Sequence, residues 1–155
     1  ITQPVRAYVQ NSENYFYGTE LEYIYTPNNQ LEFNVFASYI KAQDGEKIAL
    51  ANVANELASI SLAYESNAGI TFGSLLKYVS TSKREVTDAT RDDMPSSVIF
   101  DETISYIYKA FSANLIIKDL FDRGTNYALP LKSNANLIDF DEGGRSILLK
   151  VSMTF

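Results

Sequence analysis

Glu20 and Glu22 stand two residues apart in Gly18-Thr19-Glu20-Leu21-Glu22, a spacing that puts both carboxylates on one face of an extended strand. Paired carboxylates suit acid/base work, but the chain gives them no support. It has no His and no Cys, which removes the commonest general base, the commonest transition-metal ligand and any thiolate nucleophile. A Ser-His-Asp triad is excluded outright. The pair therefore reads as the polar face of a strand, no enzyme is expected, and neither is a cofactor. Asp88, Asp92 and Asp93 form an acidic cluster of the oxygen-ligand type that Ca2+ favours. Its spacing does not match an EF-hand loop, so it reads as a solvated loop, and so do Asp139, Asp141 and Glu142. Lys83, Arg84 and Arg91 are the cations of the same stretch, and their chemistry suits a phosphate or an anionic chelate. Tyr127 and Phe140 suit the mouth of a ligand site.

The elements that must position these groups read as strands. The 155 residues are compatible with one domain. Thirteen Lys and Arg against 19 Asp and Glu give a net charge of -6, which argues against a nucleic-acid partner. No apolar run approaches the ~20 residues of a transmembrane helix. Period-two alternation marks a first strand over Gln3–Asn11, with Pro4 near its start where a missing N–H is tolerated. A second covers Tyr15–Thr26, with Tyr15, Tyr17, Leu21, Tyr23 and Tyr25 on one face and Gly18, Glu20 and Glu22 on the other. A third covers Gln30–Ala42, a fourth Ala58–Glu65, a fifth Ile70–Thr81, a sixth Val98–Lys109 and a seventh Ala113–Phe121. Ile48–Leu57 is Ala-rich enough to suggest a helical turn. In the sixth strand Glu102 interrupts an apolar face and is expected above the edge of the apolar zone.

The chain closes on Arg145-Ser-Ile-Leu-Leu-Lys-Val-Ser-Met-Thr-Phe155. Ile147, Leu149, Val151, Met153 and Phe155 share one face of this eighth strand; Ser146, Lys150, Ser152 and Thr154 share the other. The strands have the length a tilted bilayer crossing needs, about 9–11 residues. Their connections alternate: tight after the second, fourth and sixth strands, long after the third, fifth and seventh (the last being Asp122–Gly144). Sorted connections of this kind belong to outer-membrane barrels, with short turns on the periplasmic side and long loops outside. The expected fold is all-β, an antiparallel transmembrane β-barrel segment of about eight strands. Tyr23, Tyr25, Tyr64, Tyr78, Tyr106 and Tyr108 are assigned to aromatic girdles at the bilayer interfaces.

Several strings then resemble one family together. Gly18-Thr19-Glu20-Leu21-Glu22 with Tyr25-Thr26-Pro27 resembles the G-x-E-L-E…Y-x-P segment of TonB-dependent receptors. Tyr39-Ile40-Lys41-Ala42 resembles the end of their next strand. Ile116–Arg123 with Thr125-Asn126-Tyr127 resembles their N-L-F-D-K…Y segment, although Asp119 stands where Asn is usual. Gly144-Arg145-Ser146 and the terminal strand resemble the end of the family's barrel, where a terminal aromatic is a signal to the barrel-assembly machinery; Val151, Met153 and Phe155 hold those positions.

The resemblance implies the C-terminal part of a 22-stranded barrel. The plug domain, the TonB-contacting segment and the remaining strands would lie upstream of Ile1. It implies an active-transport receptor for a scarce nutrient, with an iron chelate such as a ferric siderophore as the leading cargo. Its location would be the outer membrane of a Gram-negative bacterium, with a periplasmic C-terminus. Implied partners are membrane lipid and lipopolysaccharide, the assembly machinery and TonB. Arg84, Arg91 and Tyr127, in long loops, are the expected ligand contacts. A complete eight-stranded barrel with an adhesin or structural role is the rival expectation.

Overall fold

The computed structural model describes residues 13–85, 88, 91–128, 139–141 and 143–154. Among them are nine strands and no helix: β1 (Asn14–Asn28), β2 (Leu31–Asp44), β3 (Glu56–Glu65), β4 (Ile70–Val79), β5 (Ser97–Tyr108), β6 (Phe111–Lys118), β7 (Asn126–Tyr127), β8 (Phe140–Asp141) and β9 (Ser146–Met153). Seven of them form one antiparallel sheet in the order β1-β2-β3-β4-β5-β6-β9, while β7 and β8 pair as a separate short ribbon. The barrel is not closed within these residues: β1 and β9 are the edges of the sheet. The strand expected at Gln3–Asn11 lies outside the described residues.

The seven long strands fall where alternation places them. Two departures have local causes. No helical turn forms at Ile48–Leu57. There Asp44 Oδ1 accepts the backbone N–H groups of Glu46 (3.0 Å) and Ile48 (2.9 Å). Lys47 and Asn52 take left-handed backbone angles (φ 66° and 61°) that stop a right-handed helix. Ala49 and Ala54 instead make isolated bridges to Gln43 and Ser82. The seventh expected strand ends at Lys118, because Asp119 turns left-handed (φ 48°) and its Oδ2 accepts the N–H of Gly124 at 2.7 Å.

Register joins the alternating faces into one surface. Directly opposed residues share a face. Tyr23 faces Val35, Val35 faces Ile60, Ile60 faces Leu76, Leu76 faces Phe100 and, further along, Ile104 faces Leu115 and Leu115 faces Leu149. One side of all seven strands is thus a continuous apolar band. The opposite side carries Glu20, Glu22, Asn34, Ser38, Ser59, Ser61, Lys77, Asp101, Asn114 and Lys150. There Asn34 Nδ2 donates to Glu22 (3.0 Å) and Lys77 pairs with Asp101 (3.0 Å).

Aromatic rings border the apolar band. Tyr23 and Tyr25 stack at 6.5 Å, Tyr64 and Phe72 at 6.5 Å, and Tyr106 and Tyr108 at 6.4 Å. All six lie toward one end of the sheet, and Tyr17, Tyr39 and Tyr78 lie toward the other. Glu102 is not beyond these rows. It sits opposite Ser74 and Ile117, midway between them, and Ser74 Oγ donates to its Oε2 at 2.6 Å. A hydrogen bond inside the band lets the carboxyl remain on the apolar face.

The sheet also sorts its connections. The turns β1–β2, β3–β4 and β5–β6 lie at one end, and the long connections lie at the other. Thr154 N–H donates to Ala110 C=O at 2.9 Å, so β9 finishes at the short-turn end. Asn28 Oδ1 closes the first turn by accepting from Gln30 (2.9 Å) and Leu31 (3.0 Å). Gly69 serves the second with φ +77°.

Gly18 has a different reason to be glycine. A Cβ there would collide with the Tyr39 carbonyl oxygen and stand 2.9 Å from Ile40 Cα. Neither is a flexible side chain, so one strand must move. Gly18→Ala is expected to weaken the β1–β2 pairing by about 1–3 kcal/mol, read as a lower unfolding temperature of the folded barrel by heat-modifiable gel mobility. An unchanged transition would show that the strands separate without cost.

Candidate functional site: the long-loop end of the sheet

The long connections bring together groups that the sequence scatters. Arg84, in the β4–β5 loop, presents both terminal nitrogens to Asp139, Nη1 to Oδ1 at 2.8 Å and Nη2 to Oδ2 at 2.6 Å. The two residues are 55 apart in sequence. Arg91 reaches Asp139 Oδ1 at 3.0 Å through Nη1, while its Nε meets Asp88 at 2.8 and 3.0 Å and its Nη2 also pairs with Asp88. Arg84 Nη1 lies 3.8 Å from Asp88. Two guanidinium groups and two carboxylates thus form one latch between the β4–β5 loop and the segment before β8. Arg84 Nε also donates to the Asp92 carbonyl at 2.5 Å. Hydrogen bonding to Asp139 chiefly, with the charges of Asp139, Asp88 and Asp93 adding, holds Arg84 above its ordinary pKa. Asp88 plays the corresponding part for Arg91.

Arg84 and Arg91, the cations assigned to ligand, are therefore occupied by aspartates. The acidic cluster does not converge either: Asp88 turns to the arginines and Asp93 to Lys83, 2.6 Å away. Among the described residues no group of acids is arranged to hold a metal ion. Tyr127 pairs through its backbone with Phe140 in the β7–β8 ribbon. Val151 and Met153 lie on the apolar face opposite Ala113 and Phe111; Phe155 lies outside the described residues.

The Lys83–Asp93 pair gives this end a pH response. The Lys83 ammonium, hydrogen-bonded to it, holds the Asp93 carboxyl below the usual carboxylate range. A depressed pKa stabilises the folded loop above the unfolded value, about 3.9, and that contribution fades as pH falls through the lower folded value. These 155 residues contain no cysteine, so in a receptor freed of any other cysteine a spin label at Asp92→Cys reports on this loop alone. Its mobility is expected to rise only below about pH 4. Lys83→Met should make it mobile at neutral pH, and a label indifferent to both changes would remove the pair from loop ordering.

A cavity of about 430 Å3 lies beneath the loops, where β4 and β5 end. Asn52, Ser80, Ser82, Ser96, Ser97, Arg123 and Thr125 supply its polar wall; Val79, Met94, Pro95 and Val98 contribute to its apolar wall. Ser80 Oγ accepts the Glu56 N–H at 3.0 Å, and Ser82 and Met94 exchange backbone hydrogen bonds at 3.2 and 2.9 Å. Thr125 Oγ1 is buried without a partner among the described residues. Arg123 and Thr125 follow the Asp119–Asp122 turn, whose carboxylates are committed to the backbone: Asp119 to Gly124 N–H, and Asp122 to Arg145 N–H at 2.7 Å. No periodicity or motif singled out the serines, and the motif that contains Arg123 gave no sign of a cavity, because the wall is drawn from three separate connections.

No family model and no curated protein sequence matches the chain. Solved structures do. The ferric yersiniabactin uptake receptor FyuA from Yersinia pestis aligns with a TM-score of 0.77 over 93% of this chain and 24% of its own, at 14% identity. The ferric-catecholate import receptor Fiu from E. coli K12 aligns at 0.73 over 94% and 22%, with 15% identity. The copper transporter OprC aligns at 0.73 over 94% and 24%, with 20% identity. The chain spans about a quarter of the length of each. At such identities the likeness shows the fold: the chain folds as a stretch of the β-barrel wall of TonB-dependent receptors.

Proposed function

We propose that this chain is the C-terminal part of the barrel of an outer-membrane active-transport receptor, not an enzyme. The observation that carries the reading is the continuous apolar face across seven strands, bordered by aromatic rows and with its connections sorted by length. Such a face suits lipid, and the polar side opposite suits a wet interior. In this reading the short-turn end and the C-terminus face the periplasm, and Val151, Met153 and Phe155 form the assembly signal. The long-loop end meets lipopolysaccharide and the medium. A plug and a TonB-contacting segment lie upstream, and the inner-membrane gradient drives import through TonB.

An iron chelate is the proposed cargo, in keeping with the ferric substrates named for FyuA and Fiu. Arg84 and Arg91 shape the mouth through the latch and reach cargo when the latch opens, and Tyr127 is the third proposed contact. The test is a deletion of the whole gene. The mutant is expected to grow poorly on one defined ferric chelate as its iron source and to recover when the gene is restored. Growth equal to wild type on every iron source would overturn the iron assignment. Recovery of the protein in the soluble fraction without detergent would overturn the membrane reading itself.

A further inference from the structure

The cavity beneath the long loops differs in charge from the chain that builds it. The protein carries 19 Asp and Glu, yet among the described residues none lines the cavity. Among the described residues its one charged lining residue is Arg123. Among the described residues no carboxylate pairs with that guanidinium. Asp122, its sequence neighbour, is turned to the Arg145 N–H instead. The same wall holds four serines, the Asn52 amide and Thr125, whose buried Oγ1 has no partner. A buried hydroxyl without a partner is destabilising, and a ligand oxygen or nitrogen would relieve that cost. The volume lies within the usual range for small-molecule sites, roughly 300–1,000 Å3.

We infer that this cavity binds a small, oxygen-rich anion. Its carboxylate or phosphate lies against Arg123, and its other oxygens meet the serine and Thr125 hydroxyls. A free guanidinium selects planar or tetrahedral oxyanions through paired N–H donors. Hydroxyls serve as donor or acceptor and suit a ligand bearing both. No carboxylate of the described residues stands in the wall, so an anion there is spared the repulsion it would meet elsewhere on a chain of net charge -6. While the latch is closed, Arg84 and Arg91 are neutralised by Asp88 and Asp139 and offer no comparable attraction. The inference names the ligand class of the transport site and rests on that reading for its place in uptake.

The experiment is calorimetric titration of the full-length receptor in detergent with citrate, inorganic phosphate and, as a neutral polyol, maltotriose. Citrate or phosphate is expected to bind and maltotriose not to; the tighter of the two anions identifies the oxyanion as carboxylate or phosphate. Arg123→Gln is expected to weaken binding about tenfold or more, and Thr125→Val to weaken it severalfold. Arg145→Gln, which also removes one positive charge, should leave affinity unchanged. Heat-modifiable gel mobility checks that each variant is folded, and Thr125→Val keeps the test open should Arg123→Gln misfold. Binding of maltotriose in preference to the anions, equal losses for Arg123→Gln and Arg145→Gln, or no binding of any probe would overturn the inference. Anion binding with normal growth of the deletion strain would sink the uptake reading alone. Impaired growth without anion binding would sink this inference alone.

Discussion

Replacing Asp88 by alanine is expected to free the β4–β5 loop while leaving the barrel folded. The Asp88 side chain is 3% exposed and meets Arg91 and Arg84, whose side chains are 17% and 8% exposed. Removing one partner of a buried ion pair costs about 3–5 kcal/mol, because the remaining charge stays desolvated. Asp139 still pairs with both arginines, so the expected local cost is nearer 2–3 kcal/mol, after allowance for their partial exposure. Every 1.4 kcal/mol is tenfold, so amide exchange in the loop should speed by roughly 30- to 140-fold. The informative amides are those of Ser82 and Met94, which bridge to each other. Exchange of the β3 and β4 ladder amides should not change, because local opening leaves the sheet intact. Asp139→Ala should act on both loops, since Asp139 alone joins them in the latch. Unchanged exchange at Ser82 and Met94 in both variants would show that the loops are held by something other than the latch.

The second large effect concerns Glu102. Its carboxyl lies on the apolar face between Ile117 and Ser74, with Phe100 and Ile104 two residues away on the same side. Carbon-rich surroundings disfavour a carboxyl, and the 2.6 Å bond from Ser74 offsets only part of that cost. With this face toward lipid, Glu102→Leu should stabilise the barrel by about 1–2 kcal/mol, since an acid on the lipid face costs less than a midplane Lys or Arg. Glu102→Lys should destabilise it by about 1–2 kcal/mol, the midplane cost of a basic residue (about 2–4 kcal/mol) less the smaller cost the acid already carries. Glu102→Gln, which keeps an acceptor for Ser74, should fall between them. The measurement is reversible denaturant unfolding of the full receptor in lipid vesicles. A destabilising Glu102→Leu would mean that the carboxyl meets a polar partner in the membrane and not lipid alone.

Much of this architecture is legible in the residues. Tyr15 to Tyr25, Ile60 to Tyr64 and Ile147 to Met153 announce strands because side-chain alternation is local: each residue's face is fixed by its immediate neighbours. The connections are equally legible, since Asn28 and Gly69 carry the chemistry that a tight turn needs. The Ile48–Leu57 segment misleads for a physical reason. Helix propensity is a weak prior, and the Asp44 carboxylate with two left-handed residues overrides it. Glu102 misleads differently. Its position along the strand was readable, but its depth depends on which residues stand opposite, and only register supplies Ser74.

The candidate site was hardly legible at all. Arg84, Arg91 and Asp88 were visible as charges, but nothing nearby in sequence announces Asp139 as their common partner. The cavity wall likewise joins Asn52, Ser82 and Thr125 from three connections. By itself, the sequence determined the strands, their two faces, the aromatic borders and the sorting of turns from loops, because each rests on short-range periodicity or local turn chemistry. The tertiary structure alone decided the register, the pairing of Glu102 with Ser74, the Arg84–Asp139 latch and the cavity that Arg123 lines. Each of these joins residues that only the folded sheet and its packed loops bring within hydrogen-bonding reach.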